Sequence, residues 1–341
     1  MSKHPPKIAR RFTSVTPPPR STVVLNRTLP PGSTLPLDIP DLLRRYGLHP
    51  DKRLGQNFLV DPTHLERVVE AAEITASDMV LEIGPGLGSL TRLLAAKAGR
   101  VVAVELDSDL IPALMDVLAG FHNIQVFQGD ILAINLAELV GEPIQDSDAV
   151  EASFRTPPGY LVVANIPYYI TSALIRHLLE APRKPRRLVL TVQREVAERI
   201  CATPDKSSHA AALSLLALSV QVYGEPSIKA HIPAGAFYPP PKVDSAIVRV
   251  DLYPDPCIPA HLLPGFFRLA KAGFSQKRKT LRNALSAGIH CSPAQAATLL
   301  ESAGINPGRR AETVSLEEWK NLTIVAEVLF RAHQNIPTLL C

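Results

Sequence analysis

The chain has 341 residues, 46% hydrophobic and 20% charged, with a formal net charge of +4. That length and apolar content support one large domain plus a smaller one and exclude a wholly disordered chain. The longest apolar run, near Ala210–Val220, falls short of the about 20 residues that span a bilayer, and four scattered cysteines (Cys201, Cys257, Cys291, Cys341) form neither a zinc cluster nor a disulfide framework.

Residues 1–40 are rich in Pro, Ser and Thr and carry Lys3, Lys7, Arg10, Arg11, Arg20 and Arg27, with no acid before Asp38. This reads as a disordered basic extension. Its lack of acids also suits a transit peptide, although its prolines argue against an amphipathic targeting helix. Residues 41–254 alternate apolar strands with amphipathic helices. Strands are expected at Met79–Ile83, Arg100–Val104, Ile124–Phe127, Tyr160–Ala164 and Leu188–Val192, with helices at about Leu90–Ala98 and from the Asp107 cap to Leu118. The pattern predicts an α/β fold, a doubly wound and mostly parallel sheet of Rossmann-like type. Residues 141–159 read as a loop, and Ala210–Val220 as a buried helix running towards a strand. Val243–Leu252 reads as an edge strand. After Pro254-Asp255-Pro256 no strand pattern follows. Helices are expected near His261–Ala272, Gln276–Leu285, Pro293–Ala303 and Leu316–Phe330, making residues 255–341 a small all-helical domain.

The chemistry sits at the ends of these strands. Glu82-Ile83-Gly84-Pro85-Gly86-Leu87-Gly88 links the first strand to its helix, and glycines there let backbone approach a ligand closely. Ser89 stands where a dinucleotide fingerprint needs its third Gly, which favours S-adenosylmethionine, a cofactor without a pyrophosphate, over NAD. Glu105, about 20 residues on, is placed to accept from both ribose hydroxyls. Asp130, after the third strand, is placed to accept from the amine of the cofactor's adenine.

Asn165-Ile166-Pro167-Tyr168 follows the fourth strand, at the edge where such sheets bind ligands. An adenine amine is a poor nucleophile because its lone pair is delocalised into the ring, and it has two N–H donors. The Asn165 side-chain oxygen and the Ile166 carbonyl can each accept one and turn the lone pair towards a sulfonium methyl. Pro167 stiffens the turn, and Tyr168 offers a face on which the base stacks. Base extraction costs a few kcal/mol, and stacking returns about 1–3 kcal/mol, so the site is adequate without a general base, a catalytic triad or a metal.

Together these segments resemble the ribosomal RNA adenine dimethyltransferase family over roughly residues 41–330. Leu54-Gly55-Gln56-Asn57-Phe58-Leu59-Val60-Asp61 is similar to its N-terminal signature, and Val104-Glu105-Leu106-Asp107 and Gly129-Asp130 to its cofactor motifs. Gln193–Arg199 and Phe237-Tyr238-Pro239-Pro240-Pro241-Lys242-Val243-Asp244-Ser245-Ala246 match further on. The resemblance implies that Asn57, Leu59, Gly84, Gly86, Glu105, Asp130 and Asn165 contact the cofactor and that Phe237 packs on the flipped adenine opposite Tyr168. Phe274–Leu285 resembles the branch that dimethylates two adjacent adenosines near the 3′ end of small-subunit rRNA, rather than the large-subunit resistance branch. Tyr169 stands in place of the usual Asn, and His209-Ala210 in place of a usual Tyr-Gly; both bear on the geometry of the substrate loops.

From Pro256 to Leu300 there is no Asp or Glu, and Lys271, Lys277, Arg278, Lys279 and Arg282 lie there with Arg268. Lys277–Lys279 are expected at a helix start, where the helix dipole disfavours cations and a phosphate backbone offsets that cost. This points to RNA as the partner; the family resemblance further implies a pre-ribosomal particle as that partner and a monomeric cytoplasmic enzyme, or an organellar one if the extension targets it. Three other readings stay open: a non-catalytic nucleic-acid-binding relative, the large-subunit enzyme, and a DNA adenine methyltransferase.

Overall fold

The computed structural model describes residues 32–141, 159–167, 170–204 and 212–332. Among the described residues nine strands form: β1 (Phe58–Leu59), β2 (Met79–Ile83), β3 (Arg100–Glu105), β4 (Ile124–Gln128), β5 (Leu161–Asn165), β6 (Arg187–Gln193), β7 (Gly224–Ile232), β8 (Phe237–Tyr238) and β9 (Ser245–Leu252). Seven of them make one sheet in the order β4-β3-β2-β5-β6-β9-β7. The pairs β2/β3, β2/β5 and β3/β4 are parallel. This is the expected Rossmann-like sheet. Its central strands are covered on both faces, with Val80, Leu81, Val102 and Val162 fully buried, which is why they read as unbroken apolar runs.

Strand register places the chemistry. Ile83 pairs with Val104 on one side and Ala164 on the other. Gly84, Glu105 and Asn165, each one residue further on, therefore leave the sheet level with one another. From β2 the chain winds outwards through β3 and β4, then returns to β5 on the other side of β2. That reversal between β2 and β5 opens a crevice beyond the strands' carboxyl ends.

Two compact units divide the chain. One comprises Met1–Pro185, Val189–Thr191 and Ile232–Val243, and the other Arg186–Leu188, Val192–His231 and Asp244–Cys341. The division does not fall at the proline pair near 254. Tyr253 N and Cys257 N donate to Tyr223 O and Val222 O, and Tyr223 stacks on Phe267 with centroids 6.4 Å apart. These contacts hold β7, β9 and the helix Leu215–Gln221 with the C-terminal helices. The edge strand is β7, not β9. In β9, Ser245–Val248 and Val250 are buried, whereas β7 carries Pro226 and mixed exposure, as edge strands do.

In the first unit, residues 32–40 are held in place rather than loose. Asp38 caps the helix Ile39–Arg45. The buried Arg92 donates to Ser33 O and Leu35 O, each at 2.8 Å. Residues 1–31 of the basic extension lie outside the described residues, as does the expected loop from 142 to 158.

In the second unit, the C-terminal helices are Leu263–Phe274, Leu281–Gly288, Pro293–Ser302 and Leu316–Ala332. They close on a fully buried Trp319, which stacks on Phe274 at 5.9 Å. The second of these helices starts at Leu281, later than the expected Gln276. Thr280 takes the N-cap position, and Leu281 is the first residue of that stretch to be buried. Lys277, Arg278 and Lys279 thus stand on the preceding turn, not in the helix. The first helical N–H groups are already used: Leu281 N donates to Arg309 O at 2.7 Å and Arg282 N to Pro307 O at 3.3 Å.

Candidate active site

A cavity of about 300 Å³ lies at the carboxyl ends of β2 to β5, within the first unit. That volume matches the lower end of small-molecule sites, about 300–1,000 Å³. Asn57, Leu59, Gly84, Gly86, Glu105, Asp130, Asn165, Ile166, Pro167 and Phe237 all line it. The structure therefore brings together every described residue expected at the donor and base sites. Tyr168 and Tyr169 lie outside the described residues, as do His209 and Ala210. The cations Lys271, Lys277, Arg278, Lys279 and Arg282 belong to the second unit and do not line this cavity. All five are exposed, and none forms an ion pair among the described residues.

The glycine loop is shaped by contact as well as by turn. Gly86 has φ 59, and a Cβ there would stand 3.0 Å from two ring atoms of Phe58. Gly88 has φ 85, and a Cβ there would press on Leu114 and Val117 at 3.1 and 3.2 Å. The first lets β1 pack on the loop; the second lets the helix Ile111–Leu118 approach it.

Glu105 is held from two sides. Its Oε2 accepts from Gly86 N and its Oε1 from Asp107 N, both at 2.9 Å. Burial pushes its pKa up, and the N–H donors of Asp107 and Gly86 oppose that shift. A carboxylate has about four lone-pair sites, so both oxygens keep capacity for further donors. Asp130, by contrast, is exposed, and its Oδ1 accepts from Leu132 N at 2.9 Å.

Asn165 is oriented by a backbone group. Its Nδ2 donates to Asn57 O at 3.0 Å. A carbonyl can only accept, so this contact assigns the amide and leaves Oδ1 as the free end. Ile166 follows, buried, with its N–H on Thr191 O at 3.3 Å. Phe237 reaches the cavity because β8 pairs antiparallel with β1, Leu59 facing Phe237 and Phe58 facing Tyr238.

Glu82, the acid that opens the Glu82–Gly88 segment, also belongs to the cavity wall. It is 1% exposed, lines the cavity, and its Oε2 has no hydrogen-bond partner. Burial pushes its carboxyl up to about 8, with the Thr91 hydroxyl opposing and Glu105 adding to the rise. The signal was present in the sequence: an acid inside the buried apolar run Met79–Ile83 needs a reason to be there.

The sequence model of the family described as Ribosomal RNA adenine dimethylase matches residues 48–327. The chain belongs to that family. As a ribosomal RNA adenine dimethylase it is an rRNA adenine methyltransferase, as the motif resemblance implied. Ribosomal RNA small subunit methyltransferase A of Dehalococcoides mccartyi (strain CBDB1) is 43% identical to it over 284 residues, covering 83% of this chain and 91% of the relative. The protein of the same name from Pelotomaculum thermopropionicum is 41% identical, covering 84% and 95%. Among solved structures, a dimethyladenosine transferase from Plasmodium falciparum matches with a TM-score of 0.62 at 25% identity, over 81% of this chain and 98% of that one. The 23S rRNA methyltransferase ErmE matches with a TM-score of 0.59 at 28% identity, over 80% and 100%. Among the described residues no helix of this dimethylase is long and apolar enough to cross a membrane, and no cluster of three or more His, Cys, Asp or Glu side chains is placed to hold a metal.

Proposed function

We propose that this dimethylase transfers methyl groups from S-adenosylmethionine to the N6 amines of two adjacent adenosines near the 3′ end of small-subunit rRNA. The observation that carries the reading is the convergence of Glu105, Asp130 and the free oxygen end of Asn165 on one cavity. The residues suit the donor. Glu105 keeps acceptor capacity for ribose hydroxyls, Asp130 is an accessible acceptor for an adenine amine, and the unpartnered Glu82 Oε2 answers an ammonium group. Asn57, Leu59, Gly84 and Gly86 complete the donor wall. When bound, the donor supplies an electrophilic sulfonium methyl. Asn165 Oδ1 and the Ile166 carbonyl accept the two N–H groups of the target amine, while Pro167 keeps that turn rigid. Phe237, with Tyr168, sandwiches the flipped base. Positioning by these groups supplies the catalysis, and no general base is assigned.

The small subunit is favoured as substrate because the curated relatives at 43% and 41% identity bear that name. The exposed basic turn fits an RNA backbone. If Lys271, Lys277, Arg278, Lys279 and Arg282 engage about five phosphates, log K against log salt has a slope of roughly −3.5 to −4.5. Changing Lys277, Arg278 and Lys279 together to alanine is expected to make that slope shallower by about 2 to 3. Filter binding across a salt series measures it, and an unchanged slope removes the turn from the RNA contact. The enzyme is read as a monomer acting on a pre-ribosomal particle in the cytoplasm, or in an organelle if residues 1–40 target it there.

The substrate is tested directly by supplying labelled donor with unmodified small subunits, large-subunit rRNA and duplex DNA. Dimethyladenosine is expected from small subunits alone. Label confined to large-subunit rRNA or to DNA overturns the substrate assignment. RNA binding without any label makes the chain a non-catalytic binder.

A further inference from the structure

The segment from Asp51 to Leu59 is tied to both sides of the cavity. Gln56 Oε1 accepts from Asp51 N at 2.7 Å, and its Nε2 donates to Asp107 Oδ2 at 2.6 Å. A backbone N–H can only donate and an ionised carboxylate can only accept, so the Gln56 amide has a single orientation here. Asp107 donates its own N–H to Glu105. One residue beyond Gln56, the Asn57 carbonyl receives the Asn165 amide. Gly55, with φ 62, makes the turn that leads into this pair. A continuous chain of hydrogen bonds thus runs from Glu105 through Asp107 to Gln56, and by one peptide unit to Asn165.

We infer that Gln56 is a positioning residue for methyl transfer. By anchoring residues 51–59 on Asp107, it sets the Asn57 carbonyl that turns the Asn165 oxygen towards the target amine. It thereby couples the donor side of the cavity, at Glu105, to the acceptor side. The inference rests on the reading of Asn165 as the amine acceptor. A loop fastening without this role would affect stability and not the chemical step.

The test compares the full-length wild type with Gln56→Ala, Gln56→Glu, and Gln56→Glu combined with Asp107→Asn. Each is assayed for single-turnover transfer to unmodified small subunits and for thermal unfolding. A displacement of about 1 Å in a positioned group costs on the order of 10²-fold in rate. Gln56→Ala is therefore expected to slow transfer by about 10- to 100-fold, with KM for the subunits within about twofold of wild type. Gln56→Glu sets two carboxylates against each other. Its rate relative to wild type is expected to be lowest in mild alkali and to recover towards acid, as one of the pair takes a proton. Adding Asp107→Asn reverses the donor and acceptor while keeping the cap on Asp109 N, and is expected to restore the rate at all pH values. A Gln56→Ala rate close to wild type overturns the inference, and so does a combined variant that folds as stably as wild type and stays slow. Should Gln56→Ala fail to fold, the pH profile of Gln56→Glu decides in the same way. An inactive wild type overturns the reading of the site and this inference with it. An active wild type with an indifferent Gln56 overturns the inference alone.

Discussion

Asn165→Ala is expected to slow methyl transfer by about 10³-fold while leaving RNA affinity within about twofold of wild type. Removing one hydrogen-bonding group that acts mainly in the transition state costs about 10²–10³ in rate. Asn165 adds a second effect, because the alanine leaves the Asn57 carbonyl without its partner at the cavity wall. Of the cations proposed to meet RNA, Lys277, Arg278 and Lys279 stand on the turn before Leu281, and none of the five lines the cavity. Asn165→Asp is the sharper variant. It keeps the size and an acceptor oxygen, yet places a carboxylate oxygen against the Asn57 carbonyl, where only a donor fits. It is expected to be nearly as slow as the alanine variant. Single-turnover label transfer measures the rate, and filter binding measures the affinity. Activity retained by both variants removes Asn165 from the mechanism.

Glu82 gives the second large effect, on stability. Its carboxyl moves from 4.5 to about 8 in the folded, donor-free protein, chiefly through burial. The folded state therefore keeps a proton that the unfolded state releases. The group's contribution is fully present below about 4.5 and is lost as pH rises to about 8, beyond which the loss is complete. At about 1.4 kcal/mol per pH unit, the loss amounts to a few kcal/mol. Urea unfolding of the donor-free protein is expected to show wild type weakening relative to Glu82→Gln between mildly acidic and mildly alkaline pH. The same substitution is expected to reduce donor affinity, since an ammonium group loses its anionic partner. A wild-type-minus-variant difference that does not vary with pH excludes the buried, protonated Glu82.

The donor half of the site was legible because parallel strands announce themselves. Buried runs such as Val101–Glu105 and Leu161–Asn165 end in a chemistry-bearing residue, and sheet register brings those ends level with the Gly84 turn. What the sequence hid is non-local or made of backbone. The β1–β8 pair is two residues long on each side, too short for any periodic pattern. The hold on Asn165 comes from the carbonyl of Asn57, a group every residue possesses. β7, expected only as an unbounded strand after the Ala210–Val220 helix, has no clear pattern because its exposure is irregular and Pro226 falls within it. The helix start was set too early because Lys277–Lys279 carry no capping signal, whereas burial of Leu281 decides where the helix begins.

The pairing of Leu59 with Phe237 has a consequence for how the protein is made. About 180 residues separate the two partners, and closing so long a loop costs little more than closing one half its length. The delay comes from synthesis instead. At about 5–20 residues per second, β8 emerges roughly 10–35 s after β1. Towards the end of that interval the nascent chain carries Glu105, Asp130 and Asn165, but the wall that Phe237 completes does not yet exist. A chain of the ribosomal RNA adenine dimethylase family thus lacks the finished wall of its cavity until most of it has been translated.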